Sequence, residues 1–377
     1  MCADLAHPGR LASAAVLGLS PYVPGKPISE LEREYGVHDV IKLASNENPY
    51  GPSPGALAAM RAALDQVWLY PDGSSHQFKQ ALAAHLQVPA DWLTVGNGSN
   101  ELLLLLAEAF LTANHSAVAS QFGFAIYQLV IRGTGARYLE AAAAPATAAM
   151  PYGHDLAAMA RAIAPDTRLV FIANPNNPTG TWLQRDALRE FIAAAPAHTL
   201  VVLDEAYLEY ARLSGCESGL DWLREFPNLV LLRTFSKGYG LAGIRVGYAV
   251  SHPEIADAMN RIRPAFNLSN VAQAGATAAL ADQQHLESGA RRIVAERQRV
   301  SQALRELGVP HAPSAGNFLM VEAGARAAQV YERLLRGGLI VRPLAGYGLP
   351  RHLRISIGLP EQNDRMLQLL ADALAAP

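Results

Sequence analysis

The chain has 377 residues, of which 50% are apolar and 17% are charged, a composition typical of a globular protein with a large core. Its 31 basic and 33 acidic residues leave a formal net charge of −2, which gives no electrostatic footprint for a DNA or RNA partner. Its two cysteines, Cys2 and Cys216, exclude a disulfide framework and favour a reducing cytoplasm.

The N-terminal segment is the part of the chain that most resembles a targeting signal. Residues 11–19 are mostly apolar and follow Arg10, but Pro21 and Pro24 stand where a secretory signal would have a small-residue cleavage site. We therefore expect an arm that packs on protein. Even the strongly apolar stretch at residues 102–111 is far shorter than a membrane span, so no membrane partner is expected.

Turn-forming residues divide the first 90 residues into short elements. Residues 1–45 are rich in proline and glycine and predict an arm with little core of its own. The amides and prolines of residues 45–52 predict a loop, and Tyr70 begins a second turn signal, YPDG. The regular elements predicted around these turns are helices at 28–35, 54–64 and 75–86 and a strand at 40–43.

A glycine-rich loop follows a short strand predicted at residues 93–95. Its sequence, GNGSNE, leads into an apolar helix predicted at 102–110. Strand, glycine loop and helix together favour an anion site, because free N–H groups and the helix dipole converge where glycine allows close approach. A dinucleotide site is not favoured, since Glu101 replaces the third glycine of that motif. The alternative is that Ser99 or Asn100 only caps the helix.

Polar residues also follow the next apolar segments. The strands are predicted at residues 117–120, 169–173, 200–203 and 229–232. Phe124 and Tyr127 begin a helix after the first of these strands, a position typical of core residues. A rigid loop of amides and prolines, NPNNPTG, follows the second strand. Asp204 follows the third, and because a buried carboxylate is costly without a cation or proton donor, Asp204 is a candidate for pairing with a positive group.

The loop at residues 233–247, RTFSKGYGLAGIRVG, lies between two apolar segments predicted to be buried strands. A lysine held among apolar segments, as Lys237 is, can lose its proton and attack a carbonyl, and Arg245 can hold a phosphate. The alternative is a glycine-rich surface turn with a solvated lysine. The other polar segments decide between the two.

The alternation of strands and helices predicts an α/β fold, with a large domain at residues 46–265 whose mainly parallel sheet lies between helices. A smaller α+β domain is expected from residues 266–377 together with the arm, residues 1–45. Its predicted elements are helices at 270–281, 289–307 and 327–336 and strands at 318–322, 339–342 and 353–358. In the last strand, LRISIG, the apolar residues alternate, so Arg354 and Ser356 share the other face and could line a cleft.

Taken together, these segments resemble the fold type I pyridoxal-phosphate aminotransferases, in the right order over nearly the whole chain. The matching features are Asn177-Pro178-Thr179-Gly180, Asp204 with Tyr207, Ser236-Lys237, Arg245 and Arg354. Within that family, the Pro21-Tyr22 arm, the SNENP loop and the LRISIG strand are most similar to the histidinol-phosphate aminotransferases of histidine biosynthesis.

The resemblance implies roles around a pyridoxal 5'-phosphate cofactor. Lys237 would form the Schiff base with the cofactor aldehyde and later move the proton between the substrate carbon and the cofactor. Asp204 would pair with the pyridine nitrogen and keep it protonated. The remaining contacts would come from Tyr207 and Asn177 at the ring oxygen, Phe124 on the ring face, and Ser99, Asn100, Ser236 and Arg245 at the phosphate.

The resemblance also implies a homodimer, in which Tyr70 would reach the cofactor phosphate of the neighbouring subunit. Arg354, with Arg342 nearby, would bind the carboxylate of glutamate in one half-reaction and the phosphate of histidinol phosphate in the other, since the guanidinium fork suits both anions. Tyr22 and Asn46 would close the cleft from the arm side. The implied ping-pong reaction converts glutamate to 2-oxoglutarate and then imidazole acetol phosphate to histidinol phosphate.

Other functions stay open at this point. An aromatic amino-acid aminotransferase would keep the cofactor and place its substrate carboxylate at Arg354, and a decarboxylase of a phosphorylated amino acid would change the reaction. A sensor or binding domain would need a DNA-binding segment or basic extension that the chain does not contain. The 11 histidines form no metal-binding pattern, so no metal site is expected.

Overall fold

The computed structural model describes residues 11–22 and 24–376, so Cys2 and the start of the predicted arm lie outside the described residues. The strands are β1 (Ile41–Lys42), β2 (Leu93–Gly96), β3 (Ser116–Ser120), β4 (Arg137–Ala141), β5 (Thr167–Ala173), β6 (Leu200–Asp204), β7 (Leu229–Thr234), β8 (Gly247–Ser251), β9 (Phe318–Glu322), β10 (Leu339–Ile340), β11 (Arg342–Pro343) and β12 (His352–Ser356). The helices are α1 (Ala14–Leu17), α2 (Ile28–Tyr35), α3 (Pro54–Ala63), α4 (His76–Leu86), α5 (Ser99–Phe110), α6 (Ala125–Gly133), α7 (Leu156–Ala162), α8 (Arg185–Ala194), α9 (Leu208–Ala211), α10 (Pro253–Ile262), α11 (Asn270–Ala281), α12 (Gln283–Glu306), α13 (Ala327–Arg336) and α14 (Pro360–Ala375).

Seven strands form the central sheet, in the order β2-β8-β7-β6-β5-β3-β4. Neighbours pair in parallel except at β8, which is antiparallel to both β2 and β7. The inner strands β5, β6 and β7 are mostly apolar because helices cover both faces of the sheet, and every residue of β7 is buried. The predicted α/β fold with a mainly parallel sheet is confirmed.

A second, three-stranded antiparallel sheet has the order β11-β12-β9. Its core is formed with α12, α13 and α14, and includes Ile293, Leu334, Leu353 and Leu370. The short strand β1 pairs in parallel with β10, which joins the N-terminal arm to this part of the molecule. α11 instead packs against α3 and α4 in the core of the large sheet. The division of the chain near residue 265 therefore stays a prediction.

Several predicted elements differ from the structure in their limits. The strand predicted at 339–342 is wrong as one element, since β10 pairs with β1 and β11 pairs with β12. β4 was not predicted; it is the edge strand of the central sheet and is buried only at Ala141, so it has no apolar run to mark it. The helix predicted from residue 102 begins at Ser99, which places Ser99 and Asn100 in its first turn.

Neither a membrane-spanning helix nor a cluster of metal ligands is found in the part of the chain that the structure describes. None of its helices combines the length and the apolar character needed to cross a lipid bilayer. Nor do three or more histidine, cysteine or carboxylate side chains in residues 11–22 and 24–376 come together as metal ligands would.

Candidate active site

A cavity of about 270 Å³ lies at the carboxyl ends of β5, β6 and β7, where the N-terminal arm and β12 close over the central sheet. This is the edge at which open α/β sheets bind ligands. The predicted site residues that line it are Tyr22, Asn46, Ser99, Asn100, Phe124, Asn177, Asp204, Tyr207, Ser236, Lys237, Arg245 and Arg354. Of the predicted set, only Tyr70 and Arg342 are outside this lining.

Lys237 lies in the loop after β7, and its Nζ donates a hydrogen bond of 2.9 Å to the backbone oxygen of Ser45. The same nitrogen is 5.7 Å from the centre of the Tyr207 ring. Burial lowers the pKa of Lys237 to about 7, and the positive charge of Arg354 adds to the effect. Much of this lysine is therefore an uncharged amine at neutral pH, the form that can attack a carbonyl carbon.

Asp204 ends β6 and is only 5% exposed. The Tyr127 hydroxyl donates to one carboxylate oxygen at 2.9 Å, and the Ala206 N–H donates to the other at 3.2 Å. Burial nevertheless raises the pKa of Asp204 to about 6. No arginine, lysine or histidine among the described residues forms an ion pair with it. The carboxylate thus lies in a buried site that a positive group would stabilise.

Tyr127 is a functional candidate that the sequence analysis assigned only to the core. It is fully buried, stacks on Phe171 at 5.0 Å between ring centres, and uses its hydroxyl for Asp204. Phe124 precedes it by one helical turn, which brings both rings to the same side of α6, 5.8 Å apart. The sequence did contain a signal for this role, because Tyr127 carries a hydroxyl and stands three positions, or about one helical turn, after Phe124, the residue predicted to stack on the cofactor ring.

An anion cradle forms where α5 begins. Ser99 and Asn100 occupy the first turn, whose N–H groups have no partners within the helix. The Arg245 guanidinium donates to Ser236 Oγ at 3.0 Å and reaches the same place from the loop before β8. Arg245 has a φ of +57°, a strained conformation for a residue with a side chain. Two hydroxyls, a helix N-terminus and a guanidinium at one point suit a phosphate group.

We expect Gly98→Ala to weaken phosphate binding at this cradle. Gly98 has a φ of +77°, and an added Cβ would collide with the Arg245 guanidinium. The dissociation constant for pyridoxal 5'-phosphate, measured by fluorescence titration, should rise at least about tenfold, equivalent to about 1.4 kcal/mol. Gly308→Ala is the control, because Gly308 has a φ of +69° but no atom near its added Cβ. Equal effects of the two substitutions would mean that only backbone strain matters.

Arg354 projects from β12 into the cavity and is 5% exposed. Its guanidinium donates to Asn177 Oδ1 at 2.6 Å and to the backbone oxygen of Ala44 at 2.5 Å, while its Nε has no partner among the described residues. The ring of Phe318 lies 5.4 Å from the guanidinium carbon. A buried cation without a carboxylate partner attracts an anionic ligand.

Two predicted residues lie away from the cavity wall. Tyr70 is 83% exposed and stacks on Phe266 with 4.7 Å between ring centres, so it does not reach the site of its own chain. Arg342 lies 5.2 Å from the ring of Tyr22, which itself lines the cavity, and therefore belongs to its rim.

These groups fit pyridoxal 5'-phosphate, the cofactor that the sequence analysis predicted. Lys237 offers an amine for an aldehyde, and Asp204 offers a buried carboxylate without a cation for a protonated ring nitrogen. The cradle formed by Ser99, Ser236 and Arg245 offers donors to a phosphate. The three functions lie around one cavity, as a single small molecule requires.

The chain is similar in sequence and in structure to known aminotransferases. The sequence profile of the aminotransferase class I and II family matches residues 38–370. The chain is 50% identical over 365 residues to histidinol-phosphate aminotransferase 1 of Nitrosococcus oceani, with 97% of each chain covered. It is also 50% identical to histidinol-phosphate aminotransferase 2 of Pseudomonas aeruginosa, over 97% of this chain and 98% of that one. The crystal structure of histidinol-phosphate aminotransferase from Sinorhizobium meliloti with pyridoxal-5'-phosphate superposes with a TM-score of 0.87 at 33% identity, covering 97% of both chains.

Proposed function

The chain belongs to the class I and II aminotransferases, and from that premise we propose that it is a pyridoxal-phosphate-dependent histidinol-phosphate transaminase of histidine biosynthesis. It transfers the amino group between glutamate and imidazole acetol phosphate, yielding 2-oxoglutarate and histidinol phosphate. The observation that carries the proposal is the position of Lys237, Asp204 and Arg354 around one cavity, with relatives of that activity matching nearly the whole chain.

Bound pyridoxal phosphate supplies an aldehyde that accepts the amino group and a ring that withdraws electrons from the carbon that loses its proton. Lys237 Nζ would hold the cofactor and, when it is released as a free amine, would carry the proton to and from the substrate carbon. The depressed pKa of Lys237 suits both tasks near neutral pH. Asp204 would pair its negative charge with the ring nitrogen and so keep that nitrogen protonated.

Binding roles follow from the remaining donors. Asn177 and Tyr207 would bind the ring oxygen of the cofactor, Phe124 would cover one ring face, and Ser99, Asn100, Ser236 and Arg245 would hold the phosphate. Arg354 binds the glutamate carboxylate and, in the other half-reaction, the substrate phosphate, because both anions match its fork. Arg342, Tyr22 and Asn46 complete the substrate side of the site.

The proposed active unit is a homodimer in the cytoplasm. An exposed apolar strip supports the dimer, and its members are between 45% and 83% exposed: Leu64, Val67, Trp68, Leu69, Tyr70 and Phe266. Such a strip is costly in water and is typical of a protein interface. In the proposed dimer, Tyr70, which does not reach its own cavity, would contact the cofactor phosphate of the neighbouring subunit. The scarcity of cysteine supports the location.

Steady-state rates with a panel of acceptors test the function. With glutamate as donor, we expect the kcat/KM for imidazole acetol phosphate to exceed that for phenylpyruvate by at least about 100-fold, or about 2.7 kcal/mol, because a phosphate offers Arg354 more negative charge and more acceptor oxygens than the single carboxylate of phenylpyruvate does. A higher value for phenylpyruvate would make the protein an aromatic aminotransferase. Release of carbon dioxide from phosphorylated amino acids, without amine transfer, would make it a decarboxylase.

A further inference from the structure

A buried chain of hydrogen bonds joins β12 to Tyr207 through Asn46. The Ser356 hydroxyl donates to Asn46 Oδ1 at 2.7 Å and accepts the Asn46 backbone N–H at 2.9 Å. The other end of the amide, Nδ2, donates to the Tyr207 oxygen at 3.0 Å. Ser356 and Asn46 are 3% and 1% exposed, so water does not compete for these bonds.

The direction of each bond decides where the Tyr207 proton goes. An amide Nδ2 can only donate, so the Tyr207 oxygen accepts from Asn46 and its own O–H remains free to donate into the cavity. If the Asn46 amide were turned over, Oδ1 would face Tyr207 and would take that proton. The orientation of one amide therefore controls whether Tyr207 is a donor to a bound ligand.

Ser356 is the group that selects the orientation. Its oxygen already accepts from the Asn46 N–H, and Asn46 Oδ1 is the acceptor for its proton among the described residues. Turning the amide over would leave the Ser356 proton unbonded in a buried site, which is unfavourable because that hydroxyl would have neither water nor a protein acceptor. Asn46 itself is held in place, since its φ is +56° and its backbone oxygen accepts from Asn317 Nδ2 at 3.1 Å.

We propose that Ser356 is a positioning residue of the reaction, which fixes the Asn46 amide so that the Tyr207 hydroxyl donates to the ring oxygen of the cofactor. This inference rests on the proposed function, in which Tyr207 faces that oxygen. Arg354 and Ser356 are two positions apart in β12, so both side chains project from the same face of that strand. Arg354 binds the substrate anion, and Ser356 acts two residues further on.

The test is the pKa of the bound cofactor, read from its visible absorption as pH is varied in the loaded enzyme. A donor at the ring oxygen stabilises negative charge there and so favours loss of the proton shared between the cofactor and Lys237 Nζ. We expect Ser356→Ala to raise this pKa by about one unit, a tenfold change in proton affinity. Ser356→Thr keeps the hydroxyl and should restore the original value. Arg354, Asp204 and Lys237, the charged groups near Tyr207, are unchanged in both variants.

Tyr207→Phe separates this inference from the function on which it rests. Tyr207→Phe should raise the pKa by itself, and Ser356→Ala should add nothing in that background, because both act through one hydroxyl. If Tyr207→Phe shifts the pKa and Ser356→Ala does not, the positioning role is wrong while the proposed function stands. If Tyr207→Phe has no effect, the assignment of Tyr207 fails and the positioning role fails with it.

Ser116→Ala provides the matched control for stability. Ser116 is a fully buried serine at the amino end of β3, and its hydroxyl bonds to Thr167 Oγ1 at 2.9 Å, on the sheet edge opposite the cavity. We expect a comparable fall in melting temperature in Ser116→Ala and Ser356→Ala, with a shift of the cofactor pKa only in the latter. A shift of equal size in both would show a general loss of packing and would overturn the proposal.

Discussion

Replacing Lys237 by alanine is expected to lower kcat by at least about 1,000-fold, equivalent to about 4 kcal/mol of transition-state stabilisation. The substitution removes the amine that holds the cofactor and the base that moves the substrate proton. The Lys237 Nζ bond to the Ser45 carbonyl is lost as well, but so is the cost of burying a lysine whose pKa falls to about 7. The protein should therefore remain folded, with cofactor held weakly by the cradle around Arg245.

Single-turnover kinetics and absorption spectra of the dialysed variant measure this effect. Lys42→Ala is the control, since Lys42 lies in β1 and forms a partly exposed ion pair with Glu47 at 3.0 Å. It should keep the cofactor through dialysis and change kcat by no more than about fivefold, because such pairs contribute about 1 kcal/mol or less. Unimpaired transamination by Lys237→Ala would remove Lys237 from the mechanism.

The second large effect is expected from Asp204→Asn, which keeps the size of the side chain and removes its charge. Without the carboxylate the ring nitrogen loses the group that keeps it protonated, and kcat should fall at least about 100-fold, or about 2.7 kcal/mol. The stability of the cofactor-free protein should not fall with the activity at alkaline pH; it should stay the same or rise. Activity would then fall without a fall in melting temperature. If Asp204 had a purely structural role, the two would fall together.

The sign of the stability change follows from the pKa of Asp204. The folded state raises this pKa from 3.8 to about 6, so protonation favours folding. That contribution is fully present below about pH 4 and is lost as the pH rises through about 6. Cofactor-free Asp204→Asn should consequently melt at or above the wild-type temperature at pH 8 and lose this advantage at pH 4. A lower melting temperature at pH 8 would contradict the argument.

Glu205→Gln is the control for this variant, because the next carboxylate along the chain has the opposite environment. Glu205 pairs with buried Arg233 at 2.8 Å and also accepts from Gly219 N–H. Removing its charge leaves a buried guanidinium without its partner, which costs about 3 kcal/mol or more. Calorimetry should therefore show a large fall in melting temperature, while the folded fraction retains turnover.

The sequence by itself determined the fold class and most of the polar positions of the site. Apolar runs such as β6 and β7 must be buried on both faces, so they predict a parallel sheet, and the residues directly after them must lie at its edge. Asp204, Lys237 and Arg245 could be named for that reason. Their roles around the cofactor came from resemblance to a known family.

Only the tertiary structure decided which groups pair across the cavity. The Tyr127 bond to Asp204 and the path from Ser356 through Asn46 to Tyr207 join segments 77 to 310 residues apart in the chain. No local periodicity encodes such contacts, because a serine on a strand or a tyrosine in a helix has the same pattern whether or not its hydroxyl finds a partner. The direction of those hydrogen bonds depends on how the arm, the large sheet and β12 pack together.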